Sequence, residues 1–349
     1  MSSGWHIREQ KLDGLDGDVL RACNDLDNAL RRERDPDEPA VAPATTRAEL
    51  DGAEAGYDRR IWIAWSSDAE SEALAWCLLD IAPAENAHLV ELYIDVHPEH
   101  RRRGIGRALL REAVDVCRAE SRTTVVLWTV DRVPAGAEFV RRIGAEPAQE
   151  ERESRLYLDA VDRELVREWC DIADQLAGRY EPWWVDGAYP PAAYGRIAEA
   201  DAVMNTAPRG DVTMNDLKWT AERVAERDER FLRGPFDRWT LFARERATGR
   251  LVALTRVLLD PSRPHLVQQE DTAVHPDHRG QGIGKWIKAA MIDRILTERP
   301  EARYIATGNA YSNAPMLAIN DGLGFRVDRS NTYWEVPVAR LLSYLSENH

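Results

Sequence analysis

One segment of this chain occurs twice. VHPEHRRRGIG starts at Val96 and VHPDHRGQGIG at Val274, and matched positions, Val96 with Val274, Arg101 with Arg279 and Gly104 with Gly282, all lie 178 residues apart. A constant offset of this kind marks an internal duplication. At 349 residues the chain is long enough for two domains that each bury a core. The expectation is one domain in residues 1–165 and a second in residues 166–349. Around the boundary, Asp162 to Tyr180 places Leu165, Trp169, Ile172 and Leu176 at helical spacing with little Pro or Gly, the pattern of a packed connector rather than a flexible linker.

The elements around the two copies repeat in the same order. In the first half WHIRE reads as a strand, Val19 to Arg32 as a helix, and the stretch with Pro36, Pro39 and Pro43 as a loop. Arg60–Trp65 and Ala73–Ile81 read as a hairpin about a Ser/Asp-rich turn. A strand at Leu89–Val96, a helix with Ile105, Leu109, Ala113 and Val116 on one face, and a strand at Thr123–Thr129 follow. The second half gives helices at Ala192–Met204 and Met214–Phe231 around the loop NTAPRG, then Trp239–Arg244 paired with Leu251–Leu259. A strand ending at Val274, a helix with Ile283, Ile287, Ala290 and Met291 on one face, and a strand at Arg303–Thr307 complete it.

Composition removes several functions. Asp and Glu number 60 against 46 Lys and Arg, a net charge of −14, which on average repels nucleic acid and anionic membrane. Solubility accounts for that acidity, and an acidic face also suits a cationic acceptor. No apolar run approaches the roughly 20 residues that span a bilayer, and MSSGWHIREQ lacks the basic-then-apolar pattern of an export signal, so a cytoplasmic location is expected. Cys23, Cys77, Cys117 and Cys170 lie far apart with no C-x-x-C spacing, as reduced structural thiols do. His97 with His100, and His275 with His278, lack the further ligands of a closed metal site, so turn stabilisation is expected of them and no metal.

Each copy sets R-x-x-G-x-G between a strand and a helix: Arg101, Gly104 and Gly106, then Arg279, Gly282 and Gly284. Glycine lets backbone approach a ligand closely, and the free amides and positive dipole of the following helix suit a pyrophosphate. A nucleoside triphosphate loop is excluded, because Arg279 stands where its first Gly belongs and Trp286 where its Ser/Thr belongs. A dinucleotide fingerprint is excluded by Leu109 and Ile287 at its third Gly. An anion site of another kind remains.

The two motifs, each preceded by a strand and Val-His-Pro and followed by an amphipathic helix, resemble the central motif of the GNAT acyltransferase superfamily and in particular its tandem members. The resemblance covers nearly the whole chain. It implies an α/β (α+β) chain of two tandem folds, each a mixed, mostly antiparallel sheet flanked by helices, with two adjacent strands splayed to admit pantetheine. It also implies acyl-CoA, acetyl-CoA first among donors. On that resemblance the pyrophosphate is held after Arg101 by Arg102, Arg103, Gly104, Ile105, Gly106 and Arg107. In the second copy, after Arg279, the matching residues are Gly280, Gln281, Gly282, Ile283, Gly284 and Lys285. Pantetheine pairs with main chain near Ile94 to Val96 and Thr272 to Val274.

Family members carry N-x-x-A-x-x-x-Y before a Gly-Phe pair, the Asn contacting the cofactor and the Tyr protonating the leaving thiolate. Counted back from Gly324, this chain has Asn313, Met316 and Asn320; counted back from Gly144 it has Val133, Gly136 and Val140. The second half therefore keeps the contact Asn and replaces the acid, and the first half keeps neither. An alkyl amine with a pKa of about 10.4 is only about 0.1% neutral at pH 7, so a general base assists transfer. Glu270 is the first candidate and Asp271 the second, and each equally suits capping a turn or pairing with an Arg. In a regular strand Glu270 and Thr272 share a face, whereas a bulge reverses that facing. Tyr311 is the candidate acid. The loop Met204 to Gly210, with Trp183, Trp184 and Tyr189, reads either as an acceptor pocket or as packing.

The expected activity is an acyl-CoA-dependent N-acyltransferase acting on a small-molecule amine of the antibiotic or secondary-metabolite kind, the second domain catalysing and the first holding acyl-CoA as a structural ligand. Two other readings stand beside it: a non-catalytic acyl-CoA sensor or scaffold, and a mycothiol-synthase-like acetyltransferase.

Overall fold

The computed structural model describes residues 4–11, 15, 17–52, 56–68 and 72–347. Along the first half run β1 (Trp5–Gln10), α1 (Gly17–Arg34), α2 (Pro43–Leu50), β2 (Asp58–Ser66), β3 (Ala73–Ile81), β4 (Leu89–Val96), α3 (Ile105–Ala119), β5 (Thr124–Val130), α4 (Pro134–Arg142) and β6 (Glu146–Tyr157). Then come α5 (Arg163–Cys170), α6 (Ile172–Leu176), β7 (Tyr180–Asp186), α7 (Tyr194–Asp201), α8 (Ala221–Arg233), β8 (Asp237–Glu245), β9 (Leu251–Leu259), β10 (Leu266–Val274), α9 (Ile283–Glu298), β11 (Tyr304–Ala310), α10 (Ala314–Leu323), β12 (Arg326–Pro337) and α11 (Val338–Glu347).

The chain forms two compact units: the chain up to Glu150 with Gly210–Asn215 and Asn331 onward, and Glu151–Arg209 with Asp216–Ser330. The expected cut between 165 and 166 separates the sequence repeats, while the compact units take segments from both sides of it. In the first unit β1, β2, β3 and β4 pair antiparallel in order. Strand β5 lies parallel to β4, because α3 carries the chain over the sheet between them. The other edge of β5 is paired antiparallel by Asn331–Pro337 of β12. The second unit repeats this: β7, β8, β9 and β10 are antiparallel, β11 is parallel to β10, and Glu151–Tyr157 of β6 pairs antiparallel with β11. Each unit thus has the expected mixed, mostly antiparallel sheet, and its last strand comes from the opposite half of the chain.

The following helix travels with that strand. Leu341 and Leu345 of α11 pack with Leu109, Ala113 and Val116 of α3 in the first core, and Val166 and Trp169 of α5 pack with Ile283 and Ile287 of α9 in the second. Helix α3 buries one stripe, Ile105, Leu109, Leu110, Ala113, Val114 and Cys117, as its spacing predicts.

Several expected boundaries move. Pro43 begins α2 instead of ending a loop, since Pro at the first helical position gives up no hydrogen bond. Of the helix expected at Met214–Phe231 only α8 forms, capped at Thr220, whose hydroxyl accepts from the Arg223 amide. Chain before it has no regular element and is pinned by side chains, the Asn215 amide donating to Asn86 Oδ1 at 2.7 Å. The helix expected at Ala192–Met204 shortens to α7 with short 3-10 turns on either side, and residues 180–186, which carry Trp183 and Trp184, form strand β7. Part of the first hairpin's turn, 69–71, lies outside the described residues.

Because α11 completes the first unit's core, Leu341→Ala is expected to destabilise that unit by about 2–5 kcal/mol. Hydrogen exchange reads this as lost protection along α3, with α9 unchanged. Equal loss in α9, or none in α3, contradicts the assignment of α11 to the first core.

Candidate functional site

Both glycine motifs fold alike. The amide after each β strand's end returns to the neighbouring strand, His97 to the Leu74 carbonyl and His275 to the Val252 carbonyl. A His-Pro turn follows, in which the Glu99 amide donates to His97 Nδ1 and the Asp277 amide to His275 Nδ1, each at 3.3 Å. Gly104 and Gly282 then stand at the N-caps of α3 and α9 with φ of +84°, left-handed backbone that glycine adopts without steric cost. Position 102 is left-handed too, with φ +64° at Arg102 against +74° at its counterpart Gly280, so the loop keeps its shape even where it must hold an L side chain.

No side chain caps α3 or α9. The first amides of a helix have no partner within it, so residues 102–107 and 280–285 present uncapped donors at the positive end of a dipole. The residues fit an acyl-CoA pyrophosphate held by main chain. The motif arginines turn back onto the strand before them: Arg101 Nε donates to the Val96 carbonyl at 3.2 Å and its Nη1 to Glu33 at 2.6 Å. Arg279 Nε likewise donates to the Val274 carbonyl at 2.9 Å and its Nη2 to Thr206 Oγ1 at 2.6 Å. They brace the loop against its strand. Arg107 lies 5.9 Å over the Tyr344 ring and Lys285 4.7 Å over Trp169. Arg103 donates to His100 Nδ1 at 3.1 Å, and Gln281 Oε1 accepts from Arg179 and Tyr180. A Cβ on Gly106 would come within 3.6 Å of Val96, and one on Gly284 within 3.3 Å of Ile319 and 3.5 Å of Val274. Ile105 and Ile283 are buried anchors of the two helix starts.

The strands part where the family resemblance requires. Pairing of β4 with β5 ends at Leu92 and Leu127, and that of β10 with β11 at Gln268 and Ala306. Ile94 and Val96, and Thr272 and Val274, therefore lie on edges freed towards the gap. The two units differ here. Strand β4 runs in unbroken register against β3, whereas in β10 the register shifts between Gln269 and Thr272. Glu270 and Asp271 together oppose Arg256, the count of a β-bulge, which re-aims side chains and interrupts the ladder.

On that bulge Glu270 is exposed and Asp271 half-buried. Asp271 Oδ2 accepts from Arg256 Nη1 at 2.7 Å. Arg256 also donates to Asp201 at 2.9 Å and to the Tyr189 hydroxyl at 2.8 Å. Burial works against its charge, but Tyr189, Asp201 and Asp271 outweigh it and hold the guanidinium well above its ordinary pKa. Tyr311 is 45% exposed with its hydroxyl 2.8 Å from Ser330 Oγ. Asn313 caps α10, its Oδ1 accepting from the Met316 amide at 3.4 Å. Of the aromatic run, Tyr189 is core, while Trp183 stacks on Phe242 with ring centres 5.3 Å apart.

Two further arrangements have no counterpart among the residues that motif and spacing single out. In the second unit Lys288, on α9, is 1% exposed and donates to Asn320 Oδ1 at 2.6 Å, and Asn320 Nδ2 donates to Asn309 Oδ1 at 2.6 Å. Burial pushes Lys288 down to about 7. Its signal was a Lys at a helix position where the repeat has Leu110. In the first unit Gly210–Asn215 seats Val212 and Met214 against Tyr57, Ala82, Leu89 and Val126, with the Thr213 amide donating to Glu335 at 2.6 Å. On the same strand, burial raises the Glu91 carboxyl, which accepts from the Tyr93 hydroxyl at 2.9 Å.

The thiols are inert. Burial pushes Cys23 and Cys117 up to about 12 and Cys170 to about 11, so none is a thiolate near neutrality.

Lys288 predicts a stability profile. Its folded pKa lies below the unfolded value, so between pH 7 and about 10.4 the unfolded chain binds a proton that the folded one does not, and stability rises with pH across that window. Below pH 7 the full penalty of a buried ammonium applies. Lys288→Met should raise stability at neutral pH by a few kcal/mol, on the order of the shift converted at about 1.4 kcal/mol per unit, and remove the rise. Urea unfolding from pH 6 to 10 checks both; an unchanged profile in the variant contradicts the account.

The sequence profile of the Acetyltransferase (GNAT) family matches residues 25–145 and 211–325. A mycothiol acetyltransferase from Saccharomonospora viridis is 29% identical over 271 residues, 74% of this chain and 77% of the relative. One from Clavibacter sepedonicus is 27% identical over 244 residues, 68% of this chain and 69% of the relative. A solved tandem GNAT protein from the clavulanic acid biosynthesis pathway aligns with a TM-score of 0.76 at 22% identity, covering 96% of this chain and 98% of that one. A GCN5-related N-acetyltransferase from Sphaerobacter thermophilus aligns with a TM-score of 0.62 at 16% identity, covering 96% of each. These two likenesses concern the fold. The profile matches take in more than half of the chain and each includes one glycine loop, so this chain belongs to the GNAT acetyltransferase family and is a tandem N-acetyltransferase.

Proposed function

We propose that this enzyme moves the acetyl group of acetyl-CoA to a small-molecule amine, and that the second unit, which carries the second glycine loop, performs the transfer while the first holds acyl-CoA as a structural ligand. The observation that carries the division is the contrast in polar groups beside the parted strands. The second unit has a bulge bearing Glu270 and Asp271, with Asn309, Asn313 and Asn320 nearby in the sequence of β11 and α10. The first has an unbroken β4, Val133 and a buried Val140. The segment Gly210–Asn215, lying over Leu89 and Val126, further supports a first unit that does not admit an acceptor.

Bound acetyl-CoA supplies an activated thioester. Main-chain amides of residues 280–285 hold its pyrophosphate, and the edges of Thr272 and Val274 receive the pantetheine arm. Glu270, exposed on the bulge, takes the proton of the attacking amine, directly or through water. Asp271 is tied to Arg256 and shapes the bulge. Transfer forms a C–N bond from the amine lone pair as the C–S bond breaks, the electron pair leaving on sulfur and the amine proton leaving to the base. The curated relatives named as mycothiol acetyltransferases make the mycothiol precursor amine one acceptor to assay, beside amines of antibiotic pathways.

Two measurements test this. Gly282→Val should abolish release of CoA thiol from acetyl-CoA with a panel of amines, while Gly104→Val keeps most of it, both variants remaining folded by circular dichroism; equal losses would overturn the division of labour. Glu270→Gln should lower kcat/KM about 10²–10⁴-fold at neutral pH with partial recovery as the amine deprotonates at high pH. An unchanged pH–rate profile excludes Glu270 as the base.

A further inference from the structure

An ammonium group sits in the second unit's core where the fold has no need of one. Lys288 is 1% exposed, lies 5.1 Å from the centre of the Phe325 ring, and owes its lowered pKa to burial, with no charged neighbour contributing. Its repeat counterpart is the fully buried Leu110, so apolar packing serves this position in the same fold. The counterparts of its two partners are Val140, 3% exposed, and Thr129, whose hydroxyl accepts from Trp334 Nε1 at 2.8 Å. All three positions are polar and linked in one unit and carry no such chain in the other. Leaving a buried lysine without a carboxylate is destabilising, and a charge retained at that cost is a mark of function.

The chain of bonds has a direction. An ammonium only donates, so Asn320 must turn its Oδ1 to Lys288. Asn320 then offers Nδ2 to Asn309, which must accept through its own Oδ1. Lysine thereby fixes both amide orientations and leaves Asn309 with its Nδ2 hydrogens as the terminal donors. Lys288 and Asn320 are buried, while Asn309 is half-buried and lies on β11 beyond Ala306, where pairing with β10 has ended. Donors thus run from the core to the stretch of β11 whose pairing with β10 has ended.

We infer that Lys288 is a positioning residue for the departing sulfur, acting through Asn320 to hold Asn309 as an N–H donor to the thiolate and setting a positive charge behind it. The inference rests on the reading that the second unit performs the transfer. No proton need pass along the amides: the C–S electron pair stays on sulfur, steadied by hydrogen bonds and charge, and the thiolate leaves as such or takes a proton from water.

The chain has four lysines, and Lys11, Lys218 and Lys285 are exposed, so isotope labelling at lysine Cε gives a resonance for Lys288 that titrates apart from the rest. In the wild-type protein its pKa should rise when CoA is added and stay in place with the analogue whose thiol is replaced by hydrogen. Thiolate ultraviolet absorbance should give bound CoA a thiol pKa about one unit or more lower in the wild type than in Lys288→Met. A Lys288 resonance that responds equally to CoA and its desulfo analogue, or equal thiol pKa values at equal CoA occupancy, overturns the inference while leaving the site reading intact. Non-denaturing mass spectrometry distinguishes the other failure: if Gly282→Val binds as many CoA molecules as the wild type, the second loop holds none, and the site reading falls with the inference.

Discussion

The outer edge of the strand that follows each crossover helix governs this molecule. Strand β5 is hydrogen-bonded to β4 on one side over only a short stretch, and β11 to β10 likewise. An unpaired edge of buried backbone is untenable, so each must be paired along its other side. The chain meets this demand by exchange: Asn331–Pro337 pairs with β5, and Glu151–Tyr157 with β11. With that edge firmly held, the other is free to diverge from its parallel neighbour, and the divergence opens a cleft near the glycine loop. The cleft is a consequence of pairing elsewhere.

Against this common frame the two units carry different side chains. Their glycine loops agree to the same left-handed φ at Gly104 and Gly282, and both motif arginines return to the carbonyl of the strand before them. Anion binding depends on backbone, and backbone is what the repeats share. Side chains near the parted strands differ: there β10 carries a bulge and a carboxylate pair tied in part to Arg256, and α9, α10 and β11 carry an asparagine pair backed by a lysine. The first unit fills the equivalent positions with Leu110, Val140 and Thr129, and spreads Val212 and Met214 over the sheet face beyond.

Much of this was legible in the residues. The duplicated loop and much of the order of strands and helices followed from spacing and turn chemistry, because those are local properties, while the parting of the strands came only with the family resemblance. The exchange was not legible. Strands β6 and β12, EPAQEERESRLY and RVDRSNTYWEVP, are dense in charge and lack apolar alternation. Their charges are satisfied by partners remote in sequence, such as Arg155 with Asp328 at 3.3 Å. No periodicity announces a strand whose pairing is decided so far away. The bulge in β10 was foreseen only as something that would reverse the facing of Glu270 and Asp271, since one inserted residue leaves no mark in composition. Lys288 escapes a reading by periodicity, for a helix that buries most of its circumference gives no polar face against which a lysine stands out. The reach of Gly210–Asn215 was hidden by Met214–Phe231, whose helical spacing reads straight through the cap at Thr220.

Exchange also shapes what descent can do with such a protein. Where repeats fold independently, a lineage discards a redundant copy with a single deletion, and one-repeat descendants appear beside two-repeat ancestors. Here the loss of either copy takes away the strand and helix that finish the other, so a copy whose chemistry falls out of use cannot be dropped. Such a copy persists as architecture, its side chains free to change residue by residue while its sheet is kept.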